Sequence, residues 1–83
     1  MTAVEDEQDL RDRLAAEVPR LLGYARTIVR DPQLAEDLVQ DTLVRALQAT
    51  GSYRAESSLA TWLHRILHNV AVDRLRRRRE EPS

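Results

Sequence analysis

Residues 60–79, ATWLHRILHNVAVDRLRRRR, constrain the fold more than any other stretch. Leu59, Trp62, Leu63, Ile66, Leu67, Val70 and Arg74 fall at i, i+3, i+4, i+7, i+8, i+11 and i+15, a stripe of period 3.6. Such a stripe is the core face of an amphipathic helix, its last position suited to an arginine whose stem packs and whose head reaches water. At 100° per residue, Arg65, Asn69, Val72 and Arg76 form a second strip beside it, with Trp62 on the border. Arg76, Arg77, Arg78 and Arg79 crowd the C-terminal end, where positive charge suits the helix macrodipole. One face is committed to a core; its neighbour offers arginine, asparagine and an aromatic edge to a polyanion.

The remaining chain must supply the partner surface for that stripe. Leu10, Leu14, Val18, Leu21, Leu22, Ala25, Ile28 and Val29 predict a first helix from about Gln8, after a frayed acidic tail over residues 1–7. Pro19 lies inside it, so a kink or a restart is expected there. Asp31 and Pro32 read as N-cap and first residue of a second helix running to about Thr50. Its apolar arc, from Leu34 round to Leu47, covers more than half the circumference. Val44 adds an apolar residue on the remaining face, among Asp37, Gln40, Asp41 and Gln48. Such a helix is either central and packed on two sides, or has an edge waiting for a partner. Residues 51–57 form a loop with Gly51 as helix stop and Ser57 or Ser58 as the next N-cap. The expectation is an all-α, compact three-to-four-helix bundle over residues 8–79, with 80–83 beginning a linker.

Composition narrows the function. Eighty-three residues allow one small domain. The chain has no cysteine, hence no disulfide and no thiolate metal site, and no long apolar run or signal-peptide pattern. A soluble protein of the reducing cytoplasm is expected. The net charge of −1 conceals a balance of −4 over residues 1–50 and +3 over 51–83, so the two halves suit different partners. All basic residues are arginine, which suits phosphate and base edges, although codon usage accounts for the missing lysines equally well.

The constellations sort in the same way. His64 and His68 have the i, i+4 spacing of helical metal ligands but no third ligand at a recognisable spacing, and are read as half-exposed residues on the flank away from the arginine strip. No metal or cofactor is expected. Ser57, His64 and Asp73 can be drawn as a triad, but nothing positions a nucleophile or an oxyanion hole, so no catalytic residue is assigned. Tyr53, Arg54, Trp62, Arg65 and Asn69 strengthen the polyanion reading: aromatics stack on unpaired bases, while arginine and asparagine donate to base edges and phosphate. For Trp62, core packing accounts for most of the ring. Acid, amide and aliphatic groups mixed on the second helix suit a basic helical partner with an apolar seam.

These residues also carry a family likeness. AEDLVQDTLVRAL followed by SYRAESSLATWLHRILHNVAVDRLRRRR resembles region 2 of the bacterial extracytoplasmic-function (ECF) sigma factors, a branch of the RNA polymerase sigma factor family. PRLLGYARTIVRDPQLAEDLVQD extends the likeness back to about Leu14. The resemblance implies a helical domain docking on the clamp helices of the polymerase largest subunit through Asp37, Gln40, Asp41, Leu43, Val44 and Leu47. It implies capture of a base flipped from the non-template strand of the promoter −10 element by the loop with Tyr53, Arg54, Ser57 and Ser58. It further places Trp62, Arg65, Asn69, Arg74, Arg76 and Arg77 beside that DNA. Trp62-Leu63 stands where primary sigma factors have two adjacent tryptophans, so fewer aromatic wedges would serve strand separation. Family members carry a second helical domain with a helix-turn-helix, so this chain is expected to be a fragment. Two alternatives remain: an interaction module held by an anti-sigma factor or other regulatory partner, and a basic amphipathic helix on anionic membrane. The second fits poorly, because the arginines cluster at one end and Asp73 interrupts them.

Overall fold

A computed structural model of the chain describes residues 3–49 and 58–80, which form three α-helices: α1 (Ala3–Ile28), α2 (Pro32–Gln48) and α3 (Leu59–Glu80). The arrangement is all-α. Each helix follows from its sequence pattern, and the boundaries show where local signals mislead. α1 begins at Ala3, within the stretch read as a frayed tail, and continues through Pro19 without a restart. Pro19 and Ala15 are both exposed. The carbonyl that loses its partner to the proline ring therefore lies on the solvent side, where the penalty is smallest. α3 likewise runs to Glu80, one residue into the expected linker.

The junction of α1 and α2 is built as the sequence dictates. Asp31 sits at φ −79°, ψ 115°, and its Oδ1 accepts a hydrogen bond from the Gln33 N–H at 3.0 Å. Pro32 opens the helix, where its missing N–H costs nothing. So short a connection makes α1 and α2 antiparallel neighbours. α2 ends at Gln48, with the Ala49 N–H donating to the Arg45 and Ala46 carbonyls. The Ser58 hydroxyl caps α3 by accepting from the Thr61 N–H at 3.1 Å.

α2 is central, packing against both α1 and α3, which touch each other less. That resolves why its apolar arc is so wide. Ala35, Leu38, Val39, Thr42 and Ala46 are buried. They meet Leu14, Leu21, Ala25 and Val29 from α1 and its C-terminal end, and Leu59, Leu63, Leu67, Val70 and Ala71 from α3. Trp62 and Ile66 are partly buried against this core, as the stripe requires, while Ala71 is a core residue the stripe omitted. Thr42 is fully buried among aliphatics because its hydroxyl donates to the Leu38 carbonyl at 2.7 Å, so no polar group is left unpaired. The small residues Ala25, Ala35, Ala46 and Ala71 let the helices approach closely enough for the leucines to interdigitate.

Candidate protein and nucleic-acid interfaces

Two surfaces stand out, and each is the part of a helix that the core does not use. On α2 the unburied edge carries Gln40, exposed, with Val44 and Leu47 at 51% and 44% of full exposure. Leu43 and Leu47 turn toward α1, where with Leu14, Ala15, Val18 and Arg11 they line an apolar groove of about 410 Å³. Asp37 and Asp41 flank this edge, both partly buried. Asp37 accepts from the Gln33 side-chain amide at 3.4 Å. The α2 edge is thus both central and unfinished: packed on two sides, with an apolar seam left in solvent.

Asp41 has a second set of partners that the sequence did not reveal. Its Oδ1 lies 3.5 Å from Arg45 Nε, and its Oδ2 lies 3.7 Å from Arg74 Nη2 on α3. Arg45 Nη2 in turn lies 3.7 Å from Asp73 Oδ2. Four alternating charges therefore link α2 to the second half of α3. Arg74 does not simply send its head into water from the end of the stripe; it pairs with Asp41 across the helix interface. Arg45 is the residue sequence reasoning passed over. Its i, i+4 relation to Asp41 was visible, but its contact with Asp73 depends on how the helices pack.

On α3, Arg65, Asn69, Val72 and Arg76 are all exposed and form the strip the periodicity describes, with Arg77 exposed beyond them. Ser58 stands at the head of the helix with its hydroxyl used in the cap, 3.1 Å from the Thr61 N–H and 2.8 Å from the Thr61 hydroxyl. Trp62 is partly buried and packs against the core. Tyr53, Arg54 and Ser57 lie outside the described residues, as do the backbone and side chains of the loop they belong to.

The histidines correct the sequence reading. They were placed on the flank away from the arginine strip, yet His64 and His68 share a groove with Arg65 and Asn69. His68 and Arg65 are three residues apart, only about 60° round the helix, so their side chains converge once α1 supplies an opposite wall. His64 Nδ1 donates to the Ala60 carbonyl at 2.7 Å, and its ring meets Tyr24 edge-on with centroids 4.9 Å apart. That fixes His64 to α1 as a packing residue. Among the described residues, no three His, Cys, Asp or Glu side chains converge as a metal site. No helix among them is long and apolar enough to cross a membrane.

Comparison with known proteins places the chain in a family. Residues 14–81 match the family described as Sigma-70 region 2. The ECF RNA polymerase sigma factor EcfG of Rhodopseudomonas palustris is 42% identical over 72 residues, covering 87% of this chain and 40% of that protein. SigM, an ECF RNA polymerase sigma factor of Mycobacterium tuberculosis, is 39% identical over 64 residues, 77% of this chain and 33% of its own length. SigG of the same organism, also an ECF RNA polymerase sigma factor, is 52% identical over 62 residues, 75% of this chain and 17% of its own. The chain thus spans well under half the length of these relatives.

Proposed function

Since the chain belongs to the Sigma-70 region 2 family and is similar to ECF sigma factors, we propose that it is the part of a transcription initiation factor that holds RNA polymerase core with α2 and promoter −10 DNA with α3. The observation that carries the reading is the separation of two chemically different open surfaces. The α2 edge pairs exposed Val44 and Leu47 with Gln40 and acidic neighbours, which suits a basic helical partner with an apolar seam. The α3 strip offers Arg65, Asn69, Arg76 and Arg77 with no acidic residue among them, which suits a phosphate backbone and exposed base edges.

On the polymerase side, the largest-subunit clamp helices are the partner. Val44, Leu47 and Leu43 lose water on docking, and Asp37, Gln40 and Asp41 set register through hydrogen bonds and charge. Asp41 is the special member, because Arg45 and Arg74 already hold it from this chain's side. A basic partner group must share or displace these arginines. Arg74, itself on the DNA-binding helix, is released in this way, so docking and DNA contact draw on one carboxylate.

On the DNA side, Arg76 and Arg77 contact phosphates and contribute affinity without sequence preference. Asn69, Arg65 and the edge of Trp62 face the non-template strand of the −10 element. The loop residues Tyr53, Arg54 and Ser57, with Ser58 at its end, hold an unstacked base. Nothing in this mechanism calls for bond chemistry; the work is binding energy applied to strand separation. The apolar groove between α1 and α2, continuous with the docking edge through Leu43 and Leu47, supports a second reading in which an anti-sigma factor covers the same face and excludes polymerase.

The test is binding of the chain to bacterial RNA polymerase core, beside a Gln40→Ala/Asp41→Asn double variant whose helicity is followed by circular dichroism. The native chain is expected to bind and the folded variant to lose most of its affinity. Equal binding by both would refute α2 as the docking face.

A further inference from the structure

The structure places an arginine of α1 against the α3 strip, and we infer that α1 forms the second wall of the nucleic-acid interface, with Arg20 as a phosphate contact. This inference rests on the DNA-binding reading above and extends it to a helix that the sequence pattern assigned wholly to the core.

The observation is a groove of about 720 Å³ in which Arg20 faces Thr61, His64, Arg65, His68 and Asn69. Arg65 and Asn69 were singled out from the sequence for DNA contact; Arg20 stands 45 residues from Arg65 in the chain and joins it only through packing. The groove continues as a smaller depression of about 380 Å³ past Arg13 and Glu17 to Ser58. Arg13, Arg20 and Arg65 outnumber the single carboxylate, Glu17, whereas α2 on the other side of the fold presents Glu36, Asp37 and Asp41. A chain of phosphates fits the first surface and is repelled by the second.

Arg20 is also held in a way that leaves it available. Its side chain is 70% exposed, and its one ion pair among the described residues, to Glu17 one helical turn away, is long at 3.9 Å. Glu17 Oε2 is buried and makes no hydrogen bond among the described residues. A carboxylate so placed holds the guanidinium on the groove side without satisfying its donors. Arginine's planar fork then has donors free for two phosphate oxygens. The pair is long, so a phosphate oxygen can join Arg20 from the groove side while the guanidinium stays beside the buried Glu17 Oε2.

The experiment is titration of a fluorescent single-stranded −10 non-template oligonucleotide across a salt series with the native chain, Arg20→Ala and Arg11→Ala. Arg11 lines the α1–α2 groove instead, so the two variants lose the same charge from opposite faces. The expected result is a several-fold loss of affinity for Arg20→Ala and a salt slope shallower by about 0.7, the value of one phosphate contact on a single strand. Arg11→Ala should stay near native. A matched pair of carboxylate variants sharpens the test: Glu17→Gln should tighten binding more than Glu36→Gln, because only the first frees Arg20. Equal effects of the two arginine variants, with native binding intact, would overturn the inference and leave the α3 reading standing. Absence of oligonucleotide binding by the native chain would overturn both.

Discussion

Replacing Val44 and Leu47 together by alanine separates docking from folding. Fully burying a valine or leucine side chain contributes about 1.5–3 kcal/mol. Leu47 still has 44% of its surface to lose and Val44 has 51%, which corresponds to roughly 0.7–1.5 kcal/mol at each position on contact with a partner. Alanine keeps part of that surface and the best helix propensity, so the double variant should forfeit about 1–2 kcal/mol of association, a factor of roughly 5–30 in Kd. The cost to folding should be near 1 kcal/mol, because Leu47 has some packing in the α1–α2 groove to lose, and Tm should fall by about 4–8 °C. Leu38→Ala is the contrast. Leu38 is 1% exposed at the centre of the middle helix, and such truncations cost about 2.7–5 kcal/mol. Set against about 0.05–0.15 kcal/mol per residue for a chain of 83, that removes much of the total stability. Anisotropy titration of labelled chain with polymerase core, alongside thermal melts, gives both readouts. A double variant that binds core within twofold of native would refute the docking role of this edge. A collapse of Tm like that of Leu38→Ala would refute the claim that these side chains are spared by the core.

Three further outcomes follow from particular side chains. Asn69→Ala should weaken binding of the −10 oligonucleotide while leaving the far-ultraviolet circular dichroism unchanged, since Asn69 is exposed on α3; loss of helicity with loss of binding would count against it. Arg76→Ala/Arg77→Ala should lower affinity for all single-stranded sequences alike and reduce the salt slope by about 1.4, two contacts' worth, an unchanged slope being the refuting result. Gly23→Ala should raise stability by about 0.5–1 kcal/mol, because the added methyl meets no atom within 4 Å in the middle of α1; a lower Tm in a thermal melt would contradict that geometry.

The relation between sequence and structure is uneven in an instructive way. The core was legible wherever periodicity sets it: Leu59, Leu63, Leu67 and Val70 on α3, and Leu38, Val39, Thr42 and Ala46 on α2, are buried as their spacing demands. The Asp31–Pro32 helix start was legible because a cap is a local hydrogen bond. The start of the first helix was less legible: α1 begins at Ala3, where no apolar periodicity marks it, and not at about Gln8. Pro19 was weighed as a break because its cost is local and certain, while the packing of Leu14, Leu21 and Ala25 on either side, which outweighs it, is tertiary.

The sequence by itself determined three helices, the faces they bury, and the division into an acidic first half and a basic second half, because a 3.6-residue period and charge order are properties of neighbours along the chain. It also carried the family likeness that matched residues 14–81 now support. Tertiary structure alone decided which side chains from different helices meet. Asp41 takes Arg74 as a partner, Arg45 reaches Asp73, and Arg20 comes to stand opposite Arg65. Each of these pairings spans 28 to 45 residues of chain. Helix packing sets such distances through the volumes of buried leucines and alanines, and no one-dimensional pattern of charge contains them.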